Sequence, residues 1–169
     1  FLVAWLANPF IKKWIKQKGR KRERLLDASD RAAFRLYARR TWHFFEAFVT
    51  KEDNGLAPDN FQEEPQPVVA HRTSPTNIGL QLLSLGSAYD LGYVGLLEFL
   101  ERAESVFQTL AKLERMHGHF FNWYNTQTLA PLRPQYISTV DSGNLAAHLL
   151  TLKQCFIELG SLPPVNQQA

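Results

Sequence analysis

DNFQEEPQPVVAHRTSPTNIGL, residues 59–80, changes character at Ser74. Up to that serine it is dense in Asp, Asn, Gln, Glu, His, Arg and Thr. It carries Pro65 and Pro67, and its only apolar residues besides proline are Phe61, Val68, Val69 and Ala70. Such a composition does not build a core. It builds a loop shaped by proline and by side-chain hydrogen bonds, the setting in which binding residues concentrate. From Ser74 the signals are those of a helix start: serine at the cap, Pro75 in the first turn, then Ile78, Leu82, Leu83, Leu85 and Ala88 at helical spacing. Gly92 marks its end. Gly79, Ser84, Gly86 and Ser87 are small enough for a neighbouring helix to approach closely.

Upstream, Asp27 or Ser29 can cap a helix that runs to about Lys51. Phe34, Tyr37, Ala38, Trp42, Phe45, Phe48 and Val49 would form its buried stripe, and Lys51–Gly55 a turn signalled by Asn54-Gly55. Downstream, the spacing predicts a third helix from about Val94 to Met116, with Leu96, Leu97, Leu100, Ala103, Val106, Phe107, Leu110 and Leu113 on its apolar side. A second polar loop, rich in aromatic residues, follows at 117–134. A short strand is predicted at Tyr136–Val140. A fourth helix, capped by Asp141, would run through Leu145, Leu149, Leu152, Phe156 and Leu159 and stop at Gly160. The tail 161–169 reads as unstructured.

The order is therefore helix, polar loop, helix, short turn, helix, polar loop, helix: an all-α chain of paired antiparallel helices. Alternate junctions of such an array lie at one end, so both polar loops are expected to meet there. Four helices do not close a ring, and the expected architecture is an incomplete toroid of paired helices, part of a larger domain. Three regions are expected: a membrane-proximal segment 1–24, the helical body 25–160 and the tail 161–169.

The charge is uneven. Residues 12–24 hold eight basic residues against Glu23. Outside them 11 basic residues face 15 acidic ones, a net of −4 within an overall +3. The preceding apolar stretch, with Trp5 and Trp14, is too short to span a bilayer, which takes about 20 residues. It fits either an amphipathic helix packed on the body or the end of a transmembrane helix with the basic run on the cytoplasmic side. No aromatic or polar reading surface accompanies the basic run, so nucleic acid is not expected as a partner. The single cysteine, Cys155, excludes an internal disulfide framework and fits a buried, inert thiol. There is no zinc spacing and no Walker, Rossmann or GxSxG pattern, and neither metal nor cofactor is expected.

Three long stretches, AHRTSPTNIGL (70–80), GHFFNWYNT (118–126) and STVDSGNLAAHL (138–149), resemble the glycoamylase-like middle region of the cyclic β-1,2-glucan synthases. RRTWHFFEAFVTKEDN (39–54) and PDNFQEEP (58–65) extend the resemblance, which covers roughly residues 1–159. It implies an (α/α)6 barrel similar in fold to endo-β-1,2-glucanases. It implies a parent inner-membrane protein that makes and rejoins β-1,2-glucan, with this domain on the cytoplasmic side. Implied partners are β-1,2-glucan, the membrane through the N-terminal segment, and the rest of the parent polypeptide. The parent's catalytic carboxylates are expected on later helices, so no catalytic residue is assigned in this chain. One position departs from the family pattern: NWYDT there reads NWYNT here, with Asn125.

A sugar site needs aromatic platforms and hydrogen-bonding groups around its carboxylates. Trp123 and Tyr124 can supply the first; His71, Arg72, Asn77, His119, Asn122, Asp141 and Asn144 the second. Structural roles compete at each. Arg72 could pair with Glu63 or Glu64, Asp141 could only cap its helix, Trp123 could be core, and His119 could be a structural hydrogen bonder. His43 and His148 read as surface or packing histidines. Asp59, Glu63 and Glu64 are the loop's acids, and none is assigned a catalytic role. A reading of a different class, a non-catalytic membrane-associated helical interaction module, fits the same composition.

Overall fold

The computed structural model describes residues 26–161. The segment 1–24, with its membrane reading, and residues 162–169 lie outside the described residues. The described residues divide into two compact units between Tyr37 and Ala38, within the first helix.

Among the described residues there are four helices: α1 (Ala28–Phe48), α2 (Pro75–Asp90), α3 (Leu96–Lys112) and α4 (Thr139–Ser161). Six two-residue strands lie in the connections: β1 (Phe61–Gln62), β2 (Val68–Val69), β3 (Arg72–Thr73), β4 (Arg115–Met116), β5 (His119–Phe120) and β6 (Tyr124–Asn125). The expected helix-dominated chain is what folds, with these small ladders in its loops. None of them is the strand expected at Tyr136–Val140, where Thr139 and Val140 instead open α4.

The helix ends follow from local chemistry. Asp27 caps α1: its carboxylate accepts from the Asp30 amide at 2.8 Å, and the Asp30 carboxylate accepts from the Asp27 amide at 3.3 Å. At α2 the Ser74 hydroxyl accepts from the Asn77 amide, with Pro75 at the first helical position. Its far end is a Schellman close, in which Tyr93 N–H donates to Ala88 O and Gly92 N–H to Tyr89 O. Gly92 takes φ +74°. The cap of α4 is Ser138, whose hydroxyl accepts from the Asp141 amide at 3.1 Å. Asp141 therefore sits inside the first turn, and the capping role read for it belongs to Ser138. The same helix passes through Gly160 without stopping. In contrast, α3 ends short of the Met116 that its apolar spacing suggests. Leu113 turns extended, and Arg115–Met116 are taken into the hairpin β4–β5.

The core of the second unit forms around α2, which packs on both α4 and α3. Gly79 makes the α4 contact possible: a Cβ placed there would stand 2.2 Å from His148 Nδ1. Further along, Gly86 faces Cys155. Burial pushes the Cys155 thiol pKa up, in keeping with an inert thiol. Phe99 is fully buried between Tyr89 and Phe156, with ring centroids 5.5 and 5.3 Å away. It lies outside the stripe expected for α3, of which Leu97, Leu100 and Phe107 are exposed. Along α1 the expected stripe is buried at Trp42 and partly buried at Ala38, Phe45, Phe48 and Val49, whereas Phe34 and Tyr37 are exposed.

Candidate functional site

The two polar loops are hydrogen-bonded to each other. β3 and β6 pair antiparallel, Arg72 opposite Asn125 and Thr73 opposite Tyr124. The Thr126 amide extends the ladder to His71 O. The expectation that both loops meet at one end of the helices is met by a backbone ladder.

Arg72 projects from β3. Its Nε and Nη2 both donate to Asp59 Oδ2, at 3.1 and 2.9 Å, and its guanidinium lies 5.1 Å from the Trp123 ring centroid. Its ion-pair partner is therefore Asp59, and Glu63 and Glu64 stay exposed. Asp59 also accepts from Asn77 Nδ2 at 3.1 Å, which ties the loop to the first turn of α2. The cation over the indole face and the carboxylate at its edge fix the guanidinium plane from two sides, while half the Arg72 side chain remains exposed. On the same turn of α2, Thr76 donates to Asp141 Oδ1 at 2.5 Å and accepts from Asn144 Nδ2 at 3.1 Å, joining the first turns of α2 and α4. Arg72, Trp123, Asp59 and Asn77 thus form one polar group and Thr76, Asp141 and Asn144 a second, and the two adjoin through the neighbouring residues Thr76 and Asn77 on the first turn of α2.

A second network lies behind it. Asp53 is almost fully buried and accepts from Thr126 Oγ1, Thr50 Oγ1 and His71 Nδ1. Burial alone would raise its pKa. The hydrogen bonds from Thr126, His71 and Thr50 outweigh that and hold the carboxyl below its ordinary value. His71 is thereby oriented at the base of the loop, with part of its ring exposed.

Three expected site residues fall elsewhere. Tyr124 is fully buried; its hydroxyl accepts from the Phe121 amide and donates to Glu114 O, both at 2.7 Å, so it is a core post and no open sugar platform. Burial pushes its phenol pKa up. Asn122 is buried as well, its amide donating to Tyr136 O. His119 stands exposed in β5 and takes no part in the cluster. Asn125 acts on its own turn. Its Oδ1 accepts from the Gln127 and Thr128 amides at 2.9 and 2.8 Å and shapes the chain after β6.

The linking roles of Asp59 and Thr76 are not among the sequence expectations. Thr76 carries a usable signal, because the first turn after an S-P start faces whatever helix packs on that end. Asp59 carries none, as it lies 13 residues from Arg72 and only the folded loop brings them together. Among the described residues no group of His, Cys, Asp and Glu is arranged to hold a metal ion.

Residues 36–162 match the family model described as "Protein of unknown function (DUF3131)". The chain is 44% identical over 169 residues to the cyclic beta-(1,2)-glucan synthase NdvB of Rhizobium meliloti (strain 1021), covering 99% of this chain and 6% of that protein. Among solved structures, a candidate glucoamylase from Bacteroides fragilis superposes with a TM-score of 0.66 at 24% identity, over 82% of this chain and 34% of that one. An endo-beta-1,2-glucanase from Chitinophaga pinensis, in complex with sophorotriose and glucose, gives 0.62 at 20% identity, over 85% and 34%. At these identities the two structures speak to the fold.

Proposed function

The chain belongs to the DUF3131 family, and from that premise we propose that it forms one wall of a β-1,2-glucan-binding site in the glycoside hydrolase-like domain of a cyclic β-1,2-glucan synthase-like protein. The sequence likeness to such a synthase supports the substrate, although the chain spans only 6% of that relative's length. The likeness to the glucanase and glucoamylase-type structures supports the helical frame, and the complete frame is proposed to be an (α/α)6 toroid.

The observation that carries the reading is the Arg72–Trp123 pair held in place by Asp59. Glucose rings present apolar C–H faces and hydroxyl edges. An indole meets the faces, and a guanidinium with neighbouring amides meets the edges. Asn77, Asn144 and Asp141 stand along the same rim. Glycoside chemistry needs two carboxylates at a set separation. Asp59 and Asp141 are both engaged in positioning bonds, so the catalytic pair is proposed to come from elsewhere in the parent polypeptide. Titrating the chain with sophorotriose by calorimetry tests the wall. Saturable binding that weakens about tenfold (~1.4 kcal/mol) in Trp123→Ala and in Arg72→Ala is expected. Wild-type affinity in both variants removes these residues from the site.

Residues 1–24 are proposed to lie at the inner membrane with the body on the cytoplasmic side, on the strength of their apolar and basic sequence. Among the described residues no helix is long and apolar enough to cross a membrane. One observation favours a second reading, a non-catalytic membrane-associated module: the first polar loop is stapled internally, Arg72 to Asp59 and His71 to Asp53. Flotation on anionic liposomes with and without residues 1–24, run beside the sophorotriose titration, separates them. The module reading requires lipid binding through that segment and no sugar binding.

A further inference from the structure

A groove of about 400 Å³ opens between the C-terminal half of α1, the middle of α2 and the C-terminal half of α3, under the turn at 50–55. Its volume is in the range of small-molecule sites. Trp42, Phe45, Val49 and Leu85 form its apolar surface, with the Trp42 and Phe45 rings nearly parallel at 6.0 Å.

Most polar groups along the groove are already committed to the protein, while the buried Trp42 Nε1 has no hydrogen-bond partner. Gln81 donates to Gly55 O at 2.7 Å and accepts from the Ala57 amide at 2.8 Å. Thr109 donates to Asn54 O, and Asn54 Nδ2 donates to Thr126 O and Gln127 O. Thr50 donates to Asp53, Gln108 to Glu104, and Arg102 to Glu98. A sugar would find few hydrogen-bonding groups to meet its hydroxyls, and a buried hydroxyl left unpaired is costly. What remains is the apolar surface, the exposed Ser105 hydroxyl and two exposed ammonium groups: Lys51 from the turn and Lys112 from the last residue of α3. No carboxylate lines the groove, and neither lysine has a salt-bridge partner among the described residues.

We infer that this groove binds a single-chain fatty carboxylate, its acyl chain along Trp42, Phe45, Val49 and Leu85 and its carboxylate between Lys51 and Lys112. A flexible chain adapts to an open, partly aromatic trough, and the unmatched positive rim selects an anionic head. The site shares no binding group with the Arg72–Trp123 cluster, so its occupancy is independent of the glucan reading.

Calorimetric titration of the full chain with dodecanoate below its micelle concentration tests this, with dodecanol as the neutral comparison. The expected result is saturable binding of one dodecanoate per chain. It should weaken about tenfold or more in Lys51→Glu/Lys112→Glu, and dodecanol should bind at least about tenfold more weakly than dodecanoate. Gln108→Trp, at an exposed position on the rim, should block the groove. Near-UV circular dichroism and the unfolding midpoint verify that each variant is folded. No saturable binding, equal affinity for dodecanol, or wild-type affinity in the folded charge-reversal variant would each overturn the assignment.

Discussion

Asn125 stands where the resemblance leads one to expect an aspartate, and its surroundings say what an amide there changes. Its side-chain oxygen accepts two backbone amides of the following turn. An aspartate would offer the same acceptor, so the amide retains the geometry and removes only a charge. Asn125→Asp is expected to shift stability by less than about 0.5 kcal/mol and to leave sophorotriose affinity within about twofold, read from urea unfolding and calorimetry. A tenfold gain in affinity would show instead that the missing charge matters at the site. At the same scale, Arg72, Asn77 and Trp123 were expected from their types and loop setting to face a ligand, and the structure brings Arg72 against Trp123 and joins it to Asn77 through Asp59. Tyr124 could not be assigned correctly, because nothing local distinguishes a tyrosine that stacks on a ligand from one whose hydroxyl is locked between Phe121 and Glu114.

At the scale of elements, the starts and stops written into short motifs were readable. Ser74-Pro75 and Gly92 bracket α2 as expected, because a cap hydroxyl and a left-handed glycine act within a turn of where they stand. The hairpin β4–β5 also carried a signal that helical periodicity obscured. His117 and Gly118 both take positive φ, the requirement of a tight two-residue hairpin turn. The packing of α2 on α4 rests on Gly79. Replacing it with alanine would add about 1 kcal/mol of helix propensity, yet its Cβ would overlap the His148 ring, and overpacking costs about 1–3 kcal/mol. Gly79→Ala is therefore expected to lower the urea midpoint, and His148→Ala in the same chain to restore part of the loss. Strictly additive effects in the double-mutant cycle would rule out the contact as the cause.

For the molecule as a whole, Asp53 links the turn after α1, the strand before α2 and the loop after α3. Its folded pKa lies below the ordinary 3.8. Its contribution to stability is therefore fully present above about pH 5 and is lost as pH falls through 3.8 and below. Asp53→Asn is expected to cost about 1–3 kcal/mol at pH 7, because it leaves buried donors poorly matched, and to flatten the fall in stability on the acid side. Equal acid-side slopes in the two proteins, measured by urea unfolding, would place the acid sensitivity elsewhere. The sequence by itself determined the four helices of the described residues, the capped starts of α1 and α2, the alternation of long and short connections, and hence that two polar loops share one end. These follow from periodicity and from residues that act on their own neighbours. Only the tertiary structure decided which loop residues reach one another: Asp59 with Arg72, Thr76 with Asp141, Asp53 with Thr126. Those pairs are 13 to 73 residues apart, and no local rule relates such positions until the helices have packed and brought their ends together.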